Sequence, residues 1–332
     1  MSEPPFKHTS GRQPLVTVAV LSYHGRHLLE VVLPSLADQR FQDFELFVVD
    51  NGSGDDSVEW LAEHWPEVQV VGLPENVGVT AALNICARAG VGELVGLFNN
   101  DLELHPDCLG ELVSALATYP EAGSAGAKLL DFRERDVIDG AGDVFTWGAT
   151  GGRRGHGERD RGQYDQPRAM FGACGGAALY RREALRDVGP FDEDFFAFSE
   201  DVDWSLRAQL AGYGCRYVPT AVAYHMGSAT LGRGLTDFTR YHLSRNALWI
   251  VVKDLPAAAL LRHAHQLAHG QWISMTTARR DGKLSVLMRA WRDALRGLRG
   301  ALRKRRGVQA RRRIELVRLE ALVGPDGGAR EI

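Results

Sequence analysis

Short apolar segments alternate with helical patterns over the first hundred residues, and this rhythm constrains the fold more than any other feature. The predicted strands are apolar and rich in β-branched residues, and they cover 15–22, 44–50, 68–72 and 93–98. The helical patterns between them cover 27–39, 57–64 and 78–90. A repeated strand–helix unit folds into a parallel sheet with right-handed crossovers. We therefore expect an α/β protein with a Rossmann-like, mostly parallel sheet flanked by helices.

The rest of the chain gives a weaker pattern. We expect a helix from Pro106 to about Tyr119, and a long loop over the Gly- and Arg-rich residues 139–168. Further on, the pattern predicts a strand at 171–180, a helix at 201–211 and a strand at 216–225, and from Thr236 it is largely helical.

Polar clusters follow three of the predicted strands, where parallel sheets bind their ligands. Ser22 and Tyr23 follow the first strand, and Asp50 and Asn51 open the segment DNGSGDDS after the second. Asp and Asn side chains at such a position can bind the base and ribose of a nucleotide. The alternative is a tight turn whose Ser and Asp side chains cap the next helix.

The third cluster is Asn99-Asn100-Asp101, directly after the fourth strand. A carboxylate fixed at a strand end can hold a hard cation such as Mg²⁺ or Mn²⁺, which shares its coordination shell with substrate phosphates. The alternative is an Asx turn that closes the strand. His225, at the end of a later strand, is a candidate second ligand, although a lone histidine at a strand end is more often structural.

Three carboxylates lie close together at Glu200, Asp201 and Asp203. Acidic residues are favourable at a helix N-terminus, which is one interpretation of this segment. The other is that one of them is a general base. An alcohol that attacks an anomeric carbon needs such a base to take its proton.

In this order the clusters resemble the family 2 glycosyltransferases with a GT-A fold, over about residues 16–256. The matching segments are VVDNGSGDDS, the EN-V-G run from Glu75 to Gly78, LFNNDLEL, SEDVDW, His225, and Arg245-Asn246 with Lys253 and Pro256. NND in place of DxD, with EDVD downstream, is most similar to the bacterial rhamnosyltransferase branch. That branch uses dTDP-L-rhamnose in the synthesis of cell-wall linkers and surface polysaccharides.

The resemblance implies roles for individual residues. Asp50 would bind base and ribose with Ser22, Tyr23 and Asn51 nearby, Asn76 and Gly78 would lie along the nucleotide, and Asn100 would belong to the donor site. Asp101 and His225 would hold the Mg²⁺ or Mn²⁺ ion, and Gly175 and Gly176 would line the donor sugar. Asp201 would be the catalytic base, with Glu200 and Asp203 shaping its surroundings or the acceptor site. Asn99 in place of the first Asp of DxD removes a charge near the metal, and His24 replaces an Asn that is common in the family.

The same resemblance implies a domain division. Residues 1–235 would form the GT-A catalytic domain, with a nucleotide-binding half at about 15–105 and an acceptor half at about 106–235. Residues 236–332 would form a helical C-terminal extension. The expected substrates are a nucleotide-diphosphate sugar donor and a saccharide or lipid-linked acceptor.

A basic arm stands out in the C-terminal extension, because residues 279–320 carry 15 lysines and arginines against four acidic residues. A helix over 284–302 would put Leu287, Trp291, Leu295, Leu298 and Leu302 on one stripe. This basic amphipathic pattern, which extends over 284–306, has two interpretations. It docks on an anionic membrane, or it packs on the acidic body or on a second copy in a homodimer. The absence of an aromatic platform argues against nucleic acid as a partner.

Other classes fit the sequence less well. An oxidoreductase needs GxGxxG after the first strand, where this chain has SYHGRH. A non-catalytic nucleotide-sugar binding protein would not need Asp101, Asp201 and His225 together. The four cysteines form no CxxC pair, residues 1–14 do not resemble a signal peptide, and no apolar run reaches 18 residues. We expect a cytoplasmic protein with reduced thiols, and peripheral contact with the inner face of the membrane if the arm docks there.

Overall fold

A central ten-stranded sheet organises the molecule. The computed structural model describes residues 13–227 and 235–324. The strands are β1 (Val16–Ser22), β2 (Phe44–Asp50), β3 (Gln69–Gly72), β4 (Leu94–Asn99), β5 (Leu102–Leu104), β6 (Ala122–Asp131), β7 (Ile138–Gly140), β8 (Asp143–Phe145), β9 (Gly151–Arg153), β10 (Arg168–Met170), β11 (Ala177–Arg181) and β12 (Gly214–His225). Their order in the sheet is β10-β12-β6-β11-β4-β1-β2-β3, with β5 on β12 and β7 on β6.

The four strands that the sequence predicts first pair in parallel, as β3-β2-β1-β4. Beyond β4, β11 is antiparallel to both β4 and β6, while β12 is parallel to β6. The sheet is therefore mixed, with a parallel half of the Rossmann type. The α/β fold class is confirmed.

Helices cover both faces of the sheet. They are α1 (Arg26–Ala37), α2 (Ser57–His64), α3 (Val79–Arg88), α4 (Cys108–Thr118), α5 (Arg182–Val188), α6 (Glu200–Leu210), α7 (Asp237–Asp254), α8 (Ala257–Arg262), α9 (Ala264–Arg280), α10 (Leu284–Arg296), α11 (Leu298–Ala310) and α12 (Leu316–Leu322). Alternate residues of β1 enter different cores: Val18 and Val20 pack with Leu29 and Leu33 of α1, whereas Ala19 belongs to the core on the other face. Burial on both faces explains why these strands are continuous apolar runs.

Residues 139–168 are more ordered than the predicted long loop. They contain the hairpin β8–β9 and the edge strand β10, and Asp139, Asp143 and Arg154 within them are buried. The loop prediction is wrong here because strands of three residues are too short to show an alternation of polar and apolar residues. The strand predicted at 171–180 begins only at Ala177, since the segment before it is irregular.

The C-terminal region is helical as predicted, but the predicted single stripe is wrong. The chain breaks into two helices at Gly297, where a Cβ atom would lie 2.5 Å from the Trp249 ring of α7. The buried side of α10 is formed by Leu287, Ala290 and Ala294, while Leu295 is 69% exposed. A stripe calculated for one continuous helix loses its register at this break.

None of the helices in the described residues is both long and apolar enough to cross a membrane. The four cysteines are buried free thiols. Burial raises the pKa of the Cys86, Cys108 and Cys215 thiols to about 12.

Candidate active site

The carboxyl ends of β1, β2 and β4 form one polar edge. Ser22 and Asp50 are opposite each other in the β1–β2 pairing, and both are buried. The Asn100 amide donates to the Ser22 hydroxyl at 3.0 Å, and the backbone N–H of Asn51 donates to the Ser22 carbonyl at 2.8 Å. The Tyr23 ring lies 4.3 Å from the His24 ring and is half-exposed. Five of the residues expected at the nucleotide therefore lie along one edge of the sheet.

The segment from Glu75 to Gly78 closes against this edge. Asn51 donates from Nδ2 to Oδ1 of Asn76 at 3.1 Å and accepts from the Val77 N–H at 3.0 Å. Gly52 has a φ of +71°, and a Cβ atom there would lie 2.3 Å from the Glu75 carbonyl carbon. The close approach of two backbones therefore requires glycine at position 52.

Gly78 has a different neighbour. Its φ is +86°, and a Cβ atom would lie 2.5 Å from the Phe196 ring. Gly78 therefore connects this polar edge to the turn that precedes α6.

Asp101 and His225 are brought together by the pairing of β5 with β12, in which His225 is opposite Leu102. Nε2 of His225 lies 3.3 Å from Oδ2 of Asp101, and Nδ1 lies 2.9 Å from Oδ2 of Asp139. All three residues are buried. Burial alone lowers the pKa of His225, but the two carboxylates outweigh it and raise the pKa to about 9.

This arrangement suits a hard divalent cation. Oδ1 of Asp101 is buried and has no hydrogen-bond partner among the described residues. A histidine that binds a metal through one ring nitrogen commonly uses the other to contact a carboxylate, as His225 contacts Asp139. No cluster of three or more His, Cys, Asp or Glu suited to a metal is found in residues 13–227 and 235–324. The protein would supply two ligands, which is typical of Mg²⁺ or Mn²⁺ sites that share the ion with substrate phosphates and water.

Arg153 links this pair to Asp201. Its guanidinium forms an ion pair with Asp139. Arg153 is also opposite Asp143 in the β8–β9 pairing, and its positive charge lowers the pKa of Asp143 and of Asp201. Burial outweighs Arg153 in each case, so the pKa of Asp143 is raised well above its usual value and that of Asp201 is raised. One polar network therefore runs from Asp101 through His225, Asp139 and Arg153 to Asp201.

Asp201 is partly exposed at the start of α6 and packs on the glycine segment before β11. A Cβ atom on Gly175 would lie 3.0 Å from Oδ2 of Asp201, and the Gly175 N–H faces this carboxylate. The carbonyl of Gly176 accepts a hydrogen bond from the Asn99 N–H at 3.0 Å. Gly175 and Gly176 therefore lie between the end of β4 and Asp201.

The turn before α6 has unusual backbone geometry. Phe196, Phe198 and Ser199 all have φ between +64° and +66°, a conformation that costs on the order of 1–3 kcal/mol per residue. The Asn246 amide of α7 donates to the carbonyls of Ala197 at 2.9 Å and Phe198 at 2.8 Å. The segment Arg245-Asn246 therefore holds the turn from which Asp201 projects.

The neighbouring carboxylates have different surroundings. Burial, followed by the charge of Asp201, raises the pKa of Glu200 to about 8. Asp203, in contrast, is 0% exposed and is paired with Arg207 at 2.8 Å and with Lys253. Of the two roles expected for Asp203, shaping the acceptor site by direct contact does not fit this burial, because the carboxylate is enclosed in an ion network that joins α6 to α7. The other role, shaping the surroundings of Asp201, stays a prediction.

Asp139, Asp143 and Arg153 are site residues that the sequence did not indicate. They lie in the segment interpreted as a loop, and each belongs to a three-residue strand. The available signal was the grouping of acidic residues and arginines in a stretch with few apolar residues.

The mixed sheet, with polar side chains along the carboxyl ends of its parallel strands, has the architecture of the GT-A class of glycosyltransferase. The family model described as Glycosyl transferase family 2 matches residues 17–189, more than half of the chain. The chain therefore belongs to glycosyl transferase family 2. The matched region ends before Asp201 and His225.

The curated relatives include N-acetylglucosaminyl-diphospho-decaprenol L-rhamnosyltransferase from Mycobacterium tuberculosis, 28% identical over 66% of this chain and 78% of that protein. An uncharacterized protein, y4gI, from Sinorhizobium fredii is 32% identical over 70% of this chain. The chain spans 26% of that protein's length. Among solved structures, GalNAc-T7 with UDP, GalNAc and Mn²⁺ has a TM-score of 0.60 at 14% identity. The alignment covers 74% of this chain and 48% of the GalNAc-T7 chain, and the similarity supports the GT-A fold.

Proposed function

We propose that this chain is an inverting transferase that moves L-rhamnose from dTDP-L-rhamnose to a hydroxyl of a saccharide or lipid-linked glycan in cell-wall or surface-polysaccharide synthesis. Membership of family 2 supports sugar transfer. The choice of rhamnose is supported by the NND segment, Asn99 to Asp101, and by the name of the mycobacterial relative.

The polar network from Asp101 to Asp201 is the observation that carries this proposal. It joins two candidate metal ligands to a partly exposed carboxylate through Asp139 and Arg153. A donor diphosphate at Asp101 would then have its sugar directed along the glycine segment 175–176 towards Asp201.

Each part has a distinct chemical role. Asp50 and Asn51 would bind base and ribose. Asn76 holds the Asn51 side chain, Ser22 holds the Asn51 backbone, and Asn100 in turn donates to the Ser22 hydroxyl. Asp101 and His225 would hold a divalent cation, which neutralises charge on a departing diphosphate when it is bound. Arg153 adds a fixed positive charge beside the same network.

The reaction is a single displacement. The acceptor hydroxyl oxygen forms a bond to the anomeric carbon, the bond from that carbon to the diphosphate oxygen breaks, and the diphosphate leaves with the electron pair. Asp201 takes the hydroxyl proton as general base. One base and one leaving group give inversion at the anomeric carbon.

A donor screen tests the proposal. Purified chain is incubated with Mn²⁺ and dTDP-rhamnose, UDP-galactofuranose, UDP-GlcNAc or UDP-glucose, and nucleotide release is measured with and without an N-acetylglucosaminyl diphospholipid acceptor. We expect acceptor-dependent release with dTDP-rhamnose, slowed by about 10²- to 10⁴-fold in Asp201→Asn. Preference for another donor would overturn the choice of rhamnose. Donor binding without turnover by the parent protein would favour a non-catalytic binding protein.

Residues 284–306 also bear on the location of the acceptor. Leu295 and Leu302 are exposed here among several exposed arginines, and each surface cation adds about 1 kcal/mol of attraction to an anionic membrane. Peripheral membrane contact therefore belongs to the proposal. Leu287 and Ala290 of α10 are buried against the body, so a truncation that removes this helix would also disturb the fold. The test is therefore flotation of a Leu295→Glu/Leu302→Glu variant with anionic liposomes. Flotation equal to that of the parent would exclude contact through these residues.

A further inference from the structure

Asp143, the first residue of β8, carries a buried carboxyl group that has no role in the transfer chemistry described above. The residue is 3% exposed, and its Oδ2 atom has no hydrogen-bond partner among residues 13–227 and 235–324. An ionised carboxylate that is removed from water needs donors for both of its oxygens, whereas a neutral carboxyl group needs fewer. The surroundings of Asp143 therefore favour its protonated form.

The backbone around Asp143 is held against α6. The Asp143 N–H donates to the Gly172 carbonyl at 2.9 Å. A Cβ atom at Gly172 would lie 3.8 Å from the Cβ atom of Asp143 and 2.3 Å from the hydroxyl oxygen of Ser205 in α6. This close packing requires glycine at position 172. It also brings β8 onto the helix whose first turn carries Asp201.

The carboxyl groups of Asp143 and Asp201 form a hydrogen bond with each other. An ionised carboxylate can only accept hydrogen bonds, so this contact requires that one of the two groups keeps its proton. Two carboxyl groups this close also resist carrying two negative charges at once. One proton and one negative charge are therefore divided between Asp143 and Asp201.

The two groups differ in the donors that surround them. Asp201 accepts from the Val202 N–H at 2.7 Å, and the Gly175 N–H also faces its carboxylate. Its position in the first turn of α6 favours negative charge as well. These features stabilise the ionised form of Asp201 and leave the proton on Asp143. In agreement, burial and then the charge of Asp201 raise the pKa of Asp143 well above its usual value.

Other titratable groups face the pair from the elements packed around it. They are Arg153 on β9, Cys174 before β11, Tyr180 on β11, Glu200 on α6 and Cys215 on β12. Burial raises the pKa of the two thiols, the phenol and the Glu200 carboxyl group, so these four are neutral near neutral pH. Arg153 is charged and lowers the pKa of both carboxyl groups, so it does not decide which of them holds the proton.

We propose that Asp143 is a positioning residue for the base: as a neutral carboxyl group it donates a hydrogen bond to Asp201, and this keeps Asp201 ionised and able to take the acceptor proton. Asp143 keeps its own proton throughout, and the acceptor proton moves to Asp201. The inference rests on the proposed function for the role of Asp201 as base. The shared proton itself does not depend on that role.

The proton on Asp143 can be observed without a transfer assay. Infrared spectra of the full chain at neutral pH are compared between the parent and Asp143→Asn. We expect the difference spectrum to contain the carbonyl band of a neutral carboxylic acid that is lost in the variant. Asp136→Asn, at an exposed position, is the matched control and should lose carboxylate bands instead. A difference spectrum for Asp143→Asn with carboxylate bands alone would overturn the proposal.

The pH dependence of kcat tests the effect on Asp201. Asp143→Leu has the same branched shape without a donor, whereas Asp143→Asn keeps a donor at this position. We expect the acid limb of the kcat profile to move up by about one to two pH units in Asp143→Leu, because a hydrogen bond to a charged group is lost. The limb should move little in Asp143→Asn. At pH values above its limb, Asp143→Leu should approach the parental kcat.

Two other outcomes would contradict the proposal. If Asp143 were ionised, both substitutions would remove a negative charge beside Asp201, and the acid limb would move down in both variants. If Asp143 had only a structural role, Asp143→Leu would lower kcat by the same factor at every pH and leave the position of the limb unchanged.

The two experiments separate this inference from the proposed function. If the parent transfers sugar from no donor but the infrared difference shows a neutral Asp143, the proposed function and the role of Asp143 towards a base both fail, and only the shared proton stands. If transfer occurs and the acid limb does not respond to Asp143→Leu, the inference fails and the proposed function stands.

Discussion

Nε2 of His225 lies 3.3 Å from Oδ2 of Asp101, although one residue ends β12 and the other follows β4. The antiparallel pairing of β5 with β12 produces this approach, because it places His225 opposite Leu102. Oδ1 of Asp101 remains buried without a hydrogen-bond partner among the described residues. The pair therefore favours a cation, and the quality of the site depends on what orients the imidazole.

Asp139 is the group that orients it, through the 2.9 Å contact with Nδ1 of His225. We expect Asp139→Asn to weaken Mn²⁺ binding by about 10- to 100-fold, because loss of such a partner leaves the ring free to turn and less basic. Titration of Mn²⁺ into protein with saturating dTDP measures it. Asp136→Asn, on the exposed surface nearby, should bind Mn²⁺ like the parent. An unchanged affinity in Asp139→Asn would remove Asp139 from this role.

Asp201→Asn should lower kcat by about 10²- to 10⁴-fold, because an amide cannot take the acceptor proton. Donor affinity should stay within about twofold of the parent, since Asp50, Asn51 and the Asp101–His225 pair are untouched. Single-turnover transfer and calorimetric titration of dTDP-rhamnose separate the two effects. Transfer at the parental rate would mean that a different group is the base.

Much of the polar edge could be predicted from the sequence, because Ser22 and Asp50 end strands, and Asn100 follows one, whose apolar pattern is local. The sequence did not predict the places of Asp139, Asp143 and Arg153. Their positions depend on how the three-residue strands β7, β8 and β9 pair, which no local pattern shows. The prediction of a single apolar stripe over 284–302 was wrong for a related reason. The helix ends at Gly297, which lies against the Trp249 ring of α7, and no periodicity in 284–302 encodes that approach.

Asn246→Ala should lower kcat and leave donor affinity unchanged. The amide holds the carbonyls of Ala197 and Phe198 in a turn with three non-glycine residues at positive φ. Loss of these bonds should cost about 1–3 kcal/mol of unfolding free energy and let Asp201 leave its position. Urea unfolding and kcat are the measurements. A stability loss with kcat unchanged would show that the turn does not position Asp201.

Lys253→Met should lower the unfolding free energy by about 3–5 kcal/mol, because it leaves the buried carboxylate of Asp203 with one partner fewer. Lys253 pairs with Asp203 and, at 2.6 Å, with Asp192. The double variant Lys253→Met/Asp203→Asn should lose less than the sum of the two single variants, since neither charge is then left alone. Additive losses in urea unfolding would contradict a coupled network.

Glu200 should make the protein less stable as the pH rises. Burial and the charge of Asp201 raise its pKa from 4.5 to about 8 in the folded chain. Between these values the unfolded chain has lost the proton and the folded chain retains it. The contribution is therefore fully present below pH 4.5 and is lost as the pH rises through about 8. Glu200→Gln stays neutral in both states, so its unfolding free energy should fall less over this range.

Urea unfolding of the parent and Glu200→Gln at several pH values between 4.5 and 8 measures the difference. Glu183→Gln, an exposed position on α5, is the matched control and should follow the parent. Parallel curves for Glu200→Gln and the parent would mean that Glu200 is ionised in the folded chain. An ionised Glu200 would place a negative charge beside Asp201, and the Asp201 carboxyl group would then be harder to ionise than it is beside a neutral Glu200.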